Sequence, residues 1–168
     1  VNNGLPIDST AMAHISYLVI DPFHPQTLIA GSGSTAYRSD DGALSWGTID
    51  LQVPNGSYRS SSHPLVAFDP KRENVLYSFA WFSLYRSTDR GATWAKLPVP
   101  GSNVNLAVPD PATAGTIYAS SELGVFKSTD DGVTWTNIGP AETAWGDMVW
   151  SIAIDPSNTS HMLIFTSA

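Results

Sequence analysis

A ten-residue phrase occurs three times in this chain and limits the folds that the chain can adopt. It reads YRSDDGALSW at 37–46, YRSTDRGATW at 85–94 and FKSTDDGVTW at 126–135. Each copy places serine, aspartate, a glycine-containing turn and tryptophan in the same order. Self-similarity over several tens of residues indicates a scaffold of repeated supersecondary units rather than one irregular domain.

An Asp-Pro dipeptide follows an apolar stretch in each unit and defines the repeat more sharply. From the Asp-Pro aspartate to the phrase aspartate the distance is 20 residues in all three complete units. From each phrase aspartate to the next Asp-Pro it varies, at 28, 21 and 25 residues, so the periods are 48, 41 and 45 residues. Such periods are typical of four-stranded propeller blades. The Asp-Pro aspartates are Asp21, Asp69, Asp110 and Asp155, and the phrase aspartates are Asp41, Asp89 and Asp130.

Short runs of β-branched and aromatic residues, bounded by Gly, Pro, Asp and Ser, predict four strands in each unit. An innermost strand precedes each Asp-Pro, a second strand follows it, a third leads into the phrase, and the phrase tryptophan begins a fourth. We expect the innermost strands to be buried. The predicted fold is all-β: a β-propeller segment of about three and a half four-stranded blades in one partial domain, 1–168. The repeat units are 14–53, 63–100, 103–140 and the incomplete 148–168.

The phrase resembles the Asp-box, or BNR, repeat, whose pattern is S-x-D-x-G-x-T-W. The second and third copies match it fully, whereas the first has Ala43 in place of glycine and Ser45 in place of threonine. We expect Gly42, beside Ala43, to supply a positive φ angle for the turn. The resemblance implies that these hairpins lie on the outer rim, away from the ligand face, and that their residues are structural. The matching residues are Ser39, Asp41, Trp46, Ser87, Asp89, Gly91, Trp94, Ser128, Asp130, Gly132 and Trp135.

The composition excludes several classes of function. Among 168 residues, 15 acidic side chains outnumber 8 basic ones and give a formal charge of −7, whereas nucleic acids and anionic membranes attract clustered Lys and Arg. The chain has no cysteine, and its 4 histidines lack the close spacing of a metal site, so neither a metal nor a cofactor is predicted. No apolar run reaches the roughly 18 to 20 residues that span a bilayer. Many exported bacterial proteins have little cysteine, and we expect an extracellular, periplasmic or cell-surface location.

The first and last units are incomplete, and this predicts open sheet edges. Residues 161–168 read as a second strand with no third strand after it, and 1–6 read as the exit from a fourth strand. Unpaired strand edges invite association. We therefore expect these edges to be covered either by the remaining blades of a longer chain or by partner subunits.

The connections of variable length predict where a ligand would bind. In propellers the loops from fourth to first strands, with those between second and third strands, gather on one face, and loops on a rigid scaffold commonly carry binding sites. Aromatic rings beside polar groups are typical of glycan sites, because the ring covers a sugar face while the polar groups bind hydroxyls. Trp150 leads into an innermost strand and is expected to pack in the core. The ligand-binding candidates are Tyr58, Arg59, His63, Trp81 and Trp145.

Two functions remain open, and they differ in whether the chain catalyses a reaction. The first is a non-catalytic, extracellular binding or assembly module whose ligand is a glycan or a protein. The alternative is part of a propeller glycoside hydrolase, which needs two carboxyl groups about 5 to 10 Å apart, one of them with a raised pKa. Once the acids that the repeat explains are set aside, the catalytic candidates are Asp147, Glu142 and Glu122.

Resemblances to particular propeller families bear on this alternative. Trp145-Gly146-Asp147, ahead of an innermost strand, resembles the region around a catalytic aspartate in xyloglucan-cleaving propeller hydrolases. Sialidases fit less well, because the chain has no Arg-Ile-Pro signature and among its arginines we expect Arg59 alone at the ligand face. Photosystem II assembly factors and the sortilin ectodomain also use such repeats. The former rely on a basic patch and the latter on cysteines, and this chain has neither.

Overall fold

β-Strands make up the regular structure of the part of the chain that the structure describes. The computed structural model describes residues 3–5, 15–32, 35–49, 65–80, 82–139 and 149–166. These ranges contain 14 strands and no helix, and hence no helix that could cross a membrane. The all-β prediction is therefore confirmed. In chain order the strands are β1 (Ile15–Ile20), β2 (Leu28–Ser32), β3 (Thr35–Ser39), β4 (Gly47–Ile49), β5 (Leu65–Phe68), β6 (Leu76–Ala80), β7 (Ser83–Ser87), β8 (Ala95–Lys96), β9 (Leu106–Pro109), β10 (Ile117–Ser121), β11 (Gly124–Ser128), β12 (Thr136–Asn137), β13 (Val149–Ile154) and β14 (Met162–Thr166).

The strands form four antiparallel sheets that follow one another along the chain. Blade 1 contains β1–β4, blade 2 contains β5–β8 and blade 3 contains β9–β12, and in each the spatial order of the strands is their sequence order. Blade 4 contains β13 and β14. Consecutive strands pair because short turns connect them, which produces an antiparallel meander. The fourth strands of blades 1 to 3 are two or three residues long and begin directly after the phrase tryptophan.

The Asp-Pro aspartates organise the turn between the first and second strands. In blade 2, Asp69 Oδ1 accepts the backbone N–H groups of Lys71 and Arg72 at 2.9 and 3.0 Å. The backbone N–H of Asp69 donates to the carbonyl oxygen of Val75 at 2.9 Å and closes the loop. Aspartate favours turns because its carboxylate can accept main-chain N–H groups two or three residues further on. The same arrangement occurs at Asp21, Asp110 and Asp155.

The core lies between the blades rather than within any one of them. Side chains alternate between the two faces of a strand, so blades 2 and 3 each bury one face against the preceding blade and one against the next. The chain contains three such inter-blade clusters in the part that the structure describes. Their central residues are Ile29, Val66 and Leu76 between blades 1 and 2, Tyr77, Leu84 and Ile117 between blades 2 and 3, and Tyr118, Val149 and Ile152 between blades 3 and 4.

The innermost strands are less buried than the sequence predicts. β10, the second strand of blade 3, is buried along its whole length, whereas β9 is only half-buried and β1 alternates between exposed and half-buried residues. A second strand has a strand on either side, whereas an innermost strand lies at one edge of its sheet. Hydrophobic character by itself does not distinguish these two positions, because both strands consist of short apolar runs.

Candidate functional site

The repeated phrases form hairpins of one geometry, which we call the first, second and third box hairpins: 39–46, 87–94 and 128–135. In the second, Ser87 Oγ donates to Asp89 Oδ1 at 2.7 Å and accepts the backbone N–H of Gly91 at 2.8 Å. Asp89 also accepts the backbone N–H and the hydroxyl of Thr93, at 2.8 and 2.6 Å. All four bonds recur in the third hairpin, and in the first with Ser45 in place of threonine. Side chains of the phrase itself thus close each turn.

Each box hairpin turns on two consecutive residues with positive φ. In the second hairpin these are Arg90, with φ of 61°, and Gly91, with φ of 90°. In the first they are Gly42 and Ala43, with φ of 70° and 72°. The expectation that Gly42 adopts a positive φ is confirmed, but Ala43 must adopt one as well. A positive φ is sterically unfavourable for a residue with a Cβ, whereas glycine adopts it without this strain.

The tryptophan that ends each box hairpin also bonds back to the turn in two of the three copies. Trp94 Nε1 and Trp135 Nε1 donate to the carbonyl oxygen of the turn glycine, at 3.1 and 3.0 Å. Trp46 Nε1, in the first hairpin, is buried and has no hydrogen-bond partner among the described residues. A buried donor without a partner costs free energy. The first box hairpin, which also contains the strained Ala43, is therefore the weakest of the three.

The box aspartates are held as anions. Hydrogen bonds from the side chain of Thr93, and then from its backbone, lower the pKa of Asp89 to about 2. Equivalent bonds lower the pKa of Asp41 and of Asp130 to about 2. A general acid must carry a proton near neutral pH, so a carboxyl group with so low a pKa is unsuited to that role.

Charged side chains of two box hairpins reach the Asp-Pro turn of the preceding blade. Asp131, in the third hairpin, forms an ion pair with Arg72 of blade 2, and the same guanidinium lies 2.7 Å from Asp69 Oδ2. Arg90, in the second hairpin, hydrogen-bonds the ring of His24 in blade 1. Sequence reasoning missed these contacts because the position after the box aspartate varies in charge. The sequence does contain one indication of the Asp131–Arg72 pair: Asp131 is acidic, and Arg72, in the Asp-Pro turn of the preceding unit, is basic.

A groove of about 700 Å³ lies between the first and second box hairpins. Within its charged lining, Arg38 lies 2.8 Å from Asp40, and Arg38 Nη1 donates to the carbonyl oxygen of Arg90 at 3.1 Å. The bond from Arg38 to the Arg90 carbonyl therefore joins blades 1 and 2. Across the described ranges, no three His, Asp or Glu side chains come together as a metal site.

Of the residues predicted at the ligand face, the structure describes Glu122. It lies in the turn between β10 and β11, where its carboxylate accepts the backbone N–H and hydroxyl of Ser102 at 2.7 and 2.8 Å and the backbone N–H of Asn103 at 2.8 Å. These bonds, and above all that from the Ser102 backbone, lower the pKa of Glu122 to about 2. Glu122 thus holds the loop between β8 and β9 against blade 3. The candidates outside the described residues are Tyr58, Arg59, His63, Trp81, Glu142, Trp145 and Asp147.

Trp150 is 67% exposed, so the prediction that it packs in the core is wrong. The register of β13 against β14 shifts between Val149 and Ser151. Such a bulge takes one residue out of the regular alternation of a strand, and here that residue is Trp150. Its apolar neighbours in the sequence gave no indication of this shift.

Several solved structures share this arrangement, although no protein-family model and no curated protein matches the chain. The GH74 xyloglucanase from Xanthomonas campestris matches 99% of this chain and 28% of that chain, with a TM-score of 0.68 and 18% identity. An ancestral GH74 enzyme matches 84% of this chain and 20% of its own length, with a TM-score of 0.62 and 22% identity. YCF48 bound to D1 peptide matches 92% of this chain and 50% of its own length, with a TM-score of 0.58 and 17% identity.

At these identities the likeness concerns the fold. The chain spans between 20% and 50% of the length of these three structures. Together with the successive four-stranded sheets, the matches confirm the predicted fold class. The chain has the fold of a partial set of propeller blades.

Proposed function

We propose that the chain is an Asp-box propeller segment that acts outside the cytoplasm as a non-catalytic binding or assembly module. The observation that carries the proposal is geometric: carboxylates of the Asp-Pro turns and of the box hairpins, and that of Glu122, accept hydrogen bonds from the turns and loops beside them. Every resolved shift of an Asp or Glu in the described ranges is downward: Asp40, Asp41, Asp89, Glu122, Asp130 and Asp155. A glycosidase needs one carboxyl group with a raised pKa. These carboxylates instead accept hydrogen bonds that hold turns and loops in place.

The ligand that we propose is a glycan bound by the loop face through Trp81 and Trp145. Tryptophan is suited to this role because its ring offers a flat apolar surface with a polar N–H at one edge. Xyloglucan is the first glycan to test, because one of the similar structures is a xyloglucanase. A peptide is the second ligand to test, because YCF48 binds one.

The second candidate function is hydrolysis of such a glycan, with Asp147 or Glu142 as the acid or base. It is supported by Trp145-Gly146-Asp147, which resembles the region of a catalytic aspartate in xyloglucan-cleaving propeller hydrolases. Two of the similar structures are GH74 enzymes, which makes the same reaction the one to assay.

Isothermal titration with xyloglucan oligosaccharides tests the binding proposal. We expect binding by the unchanged chain, its loss in Trp81→Ala, and its retention in Asp147→Asn. Leu44→Ala is the matched control, because Leu44 is 64% exposed in the first box hairpin, which the Asp-box resemblance implies is away from the ligand face. Loss of binding in Leu44→Ala as well, or no binding of glycan or peptide by the unchanged chain, would contradict the proposal.

A reducing-end assay on the same oligosaccharides separates the two functions. The module hypothesis predicts no release of reducing ends by the unchanged chain. Hydrolysis that disappears in Asp147→Asn, while binding persists, would establish the glycosidase instead, because that substitution removes a proton-transfer group and keeps the side-chain size.

A further inference from the structure

The loop that connects β8 to β9 contacts the turn between the second and third strands in both blade 2 and blade 3. The backbone N–H of Val104 donates to the carbonyl oxygen of Phe82, in the turn before β7, at 3.0 Å. The backbone N–H of Asn103 donates to the carboxylate of Glu122, in the turn before β11, at 2.8 Å. Because strands of a meander alternate in direction, these two turns lie at the end of each blade opposite its Asp-Pro turn and box hairpin.

Phe82 has a backbone conformation that aromatic residues rarely adopt. Its φ is 54°, and among the described non-glycine residues with positive φ it is the one aromatic residue. Leu123 directly precedes the third strand of blade 3, as Phe82 does in blade 2, but there the positive φ, 122°, belongs to Gly124. A positive φ favours glycine or asparagine, and for a bulky side chain it is an outlier. The turn of blade 2 therefore keeps a phenylalanine at the expense of backbone strain.

The core does not account for this phenylalanine. Its side chain is 45% exposed and belongs to none of the three inter-blade clusters. Blade 2 packs against blade 1 on one face and against blade 3 on the other, so the ring is exposed although both faces of its blade are covered. Strained residues that folding does not require are concentrated at ligand sites. The strain and the exposure together indicate that the ring of Phe82 contacts a ligand.

Asn103 provides a polar group beside this ring. It is exposed, and it directly precedes Val104, whose backbone N–H is bonded to Phe82. The bond from Asn103 to Glu122 uses the backbone N–H, so the side-chain amide is not part of the contact that holds the loop. An amide can both donate and accept hydrogen bonds. A flat apolar ring next to an amide is the combination that binds a sugar, because the ring covers the C–H face while the amide binds hydroxyls.

We infer that Phe82 stacks on a sugar ring of the bound glycan and that Asn103 binds hydroxyl groups of the same sugar. The inference rests on the proposed function, because its ligand is the glycan proposed for the loop face. It also specifies the kind of sugar: a pyranose with equatorial hydroxyls, whose axial C–H groups form an apolar face that a phenyl ring can cover.

Isothermal titration with xyloglucan oligosaccharides compares the unchanged chain with variants at residue 82. Phe82→Asn removes the ring and tolerates the positive φ, and we expect it to raise the Kd roughly five- to tenfold. Phe82→Tyr keeps a flat ring and is expected to restore the affinity that Phe82→Asn loses. Phe82→Leu keeps an apolar side chain without a flat ring and is expected to bind as weakly as Phe82→Asn, which distinguishes stacking on a sugar from a general apolar contact.

Two further variants test the polar group and the position. Asn103→Ala keeps the backbone bond to Glu122 and is expected to raise the Kd roughly fivefold through the loss of hydrogen bonds to the sugar. Leu44→Asn makes the same apolar-to-amide change as Phe82→Asn at an exposed residue of the first box hairpin and is expected to leave the Kd unchanged. Circular dichroism checks the fold of every variant.

The outcomes separate this inference from the proposed function. An unchanged chain that does not bind the oligosaccharides overturns the proposed glycan ligand and this inference with it. An unchanged chain that binds, with the same Kd in Phe82→Asn or in Phe82→Leu, overturns this inference alone. So does a Kd in Phe82→Tyr as high as that in Phe82→Asn, an unchanged Kd in Asn103→Ala, or an equal loss of affinity in Leu44→Asn.

Discussion

Ala43 is a strained residue, and its replacement by glycine should stabilise the protein. Its φ is 72°, whereas the second residue of the turn in the other two box hairpins is a glycine. The left-handed region costs a residue with a Cβ about 1 to 2 kcal/mol. Glycine avoids that cost but loses about 0.5 to 1 kcal/mol more in backbone entropy on folding. We therefore expect Ala43→Gly to raise the free energy of unfolding by about 0.5 to 1 kcal/mol.

Urea denaturation followed by tryptophan fluorescence measures this change. The bond from the residue 43 N–H to Ser39 Oγ, at 2.9 Å, uses a backbone donor and is kept in the variant. In a thermal experiment, about 1 kcal/mol corresponds to a shift of roughly 2 to 4 °C in Tm for a chain of this size. Ala92→Gly is the matched control: Ala92 does not have a positive φ, so glycine there should lower the free energy of unfolding by about 0.5 to 1 kcal/mol. A loss of stability in Ala43→Gly equal to that in Ala92→Gly would refute the strain argument.

Three further predictions concern other parts of the repeat. The hydrogen bond from the Thr134 side chain is the main cause that lowers the pKa of Asp130 from its ordinary 3.8 to about 2. The stabilisation by Asp130 should thus be complete above about pH 4 and be lost as the pH falls through about 2, and acid denaturation of Asp130→Asn should show a shallower dependence there. Ala107→Val should raise the free energy of unfolding by about 1 kcal/mol by filling an apolar cavity of about 150 Å³ between blades 2 and 3, and a loss of stability in urea would contradict this. Gly132→Ala should cost more than the same change in the second box hairpin, because its new Cβ would lie 2.5 Å from Leu97 Cδ1 in addition to the backbone strain; equal costs in denaturation curves would contradict that reasoning.

The strands and the turns could be predicted from the sequence because the interactions that form them are local. In the second box hairpin, Ser87, Asp89 and Thr93 all lie within seven residues of one another, and their mutual bonds close the turn. The same holds for the Asp69 carboxylate and the backbone N–H groups that follow it. Such short-range patterns can be recognised in a single copy of the repeat, and their recurrence with constant spacing strengthens the prediction.

The environment of Glu122 could not be predicted in this way. Its type and its place in a loop suggested a catalytic acid, but three hydrogen bonds from Ser102 and Asn103 give it a low pKa. These partners precede it by about 20 residues, on the connection whose length varies from unit to unit. A carboxyl pKa depends on the donors that surround the group in space, and residue type carries no information about them.

By itself the sequence determined the repeat unit, the order of strands within a blade and the box hairpins, because side chains and backbone groups a few residues apart decide each of them. The tertiary structure alone decided how the blades meet. It brought Asp131 of blade 3 to Arg72 of the adjacent blade 2, and it left Leu163 exposed at a position where Tyr77 is buried. Burial and ion pairing depend on which surface lies opposite a residue, and that surface comes from a distant part of the chain.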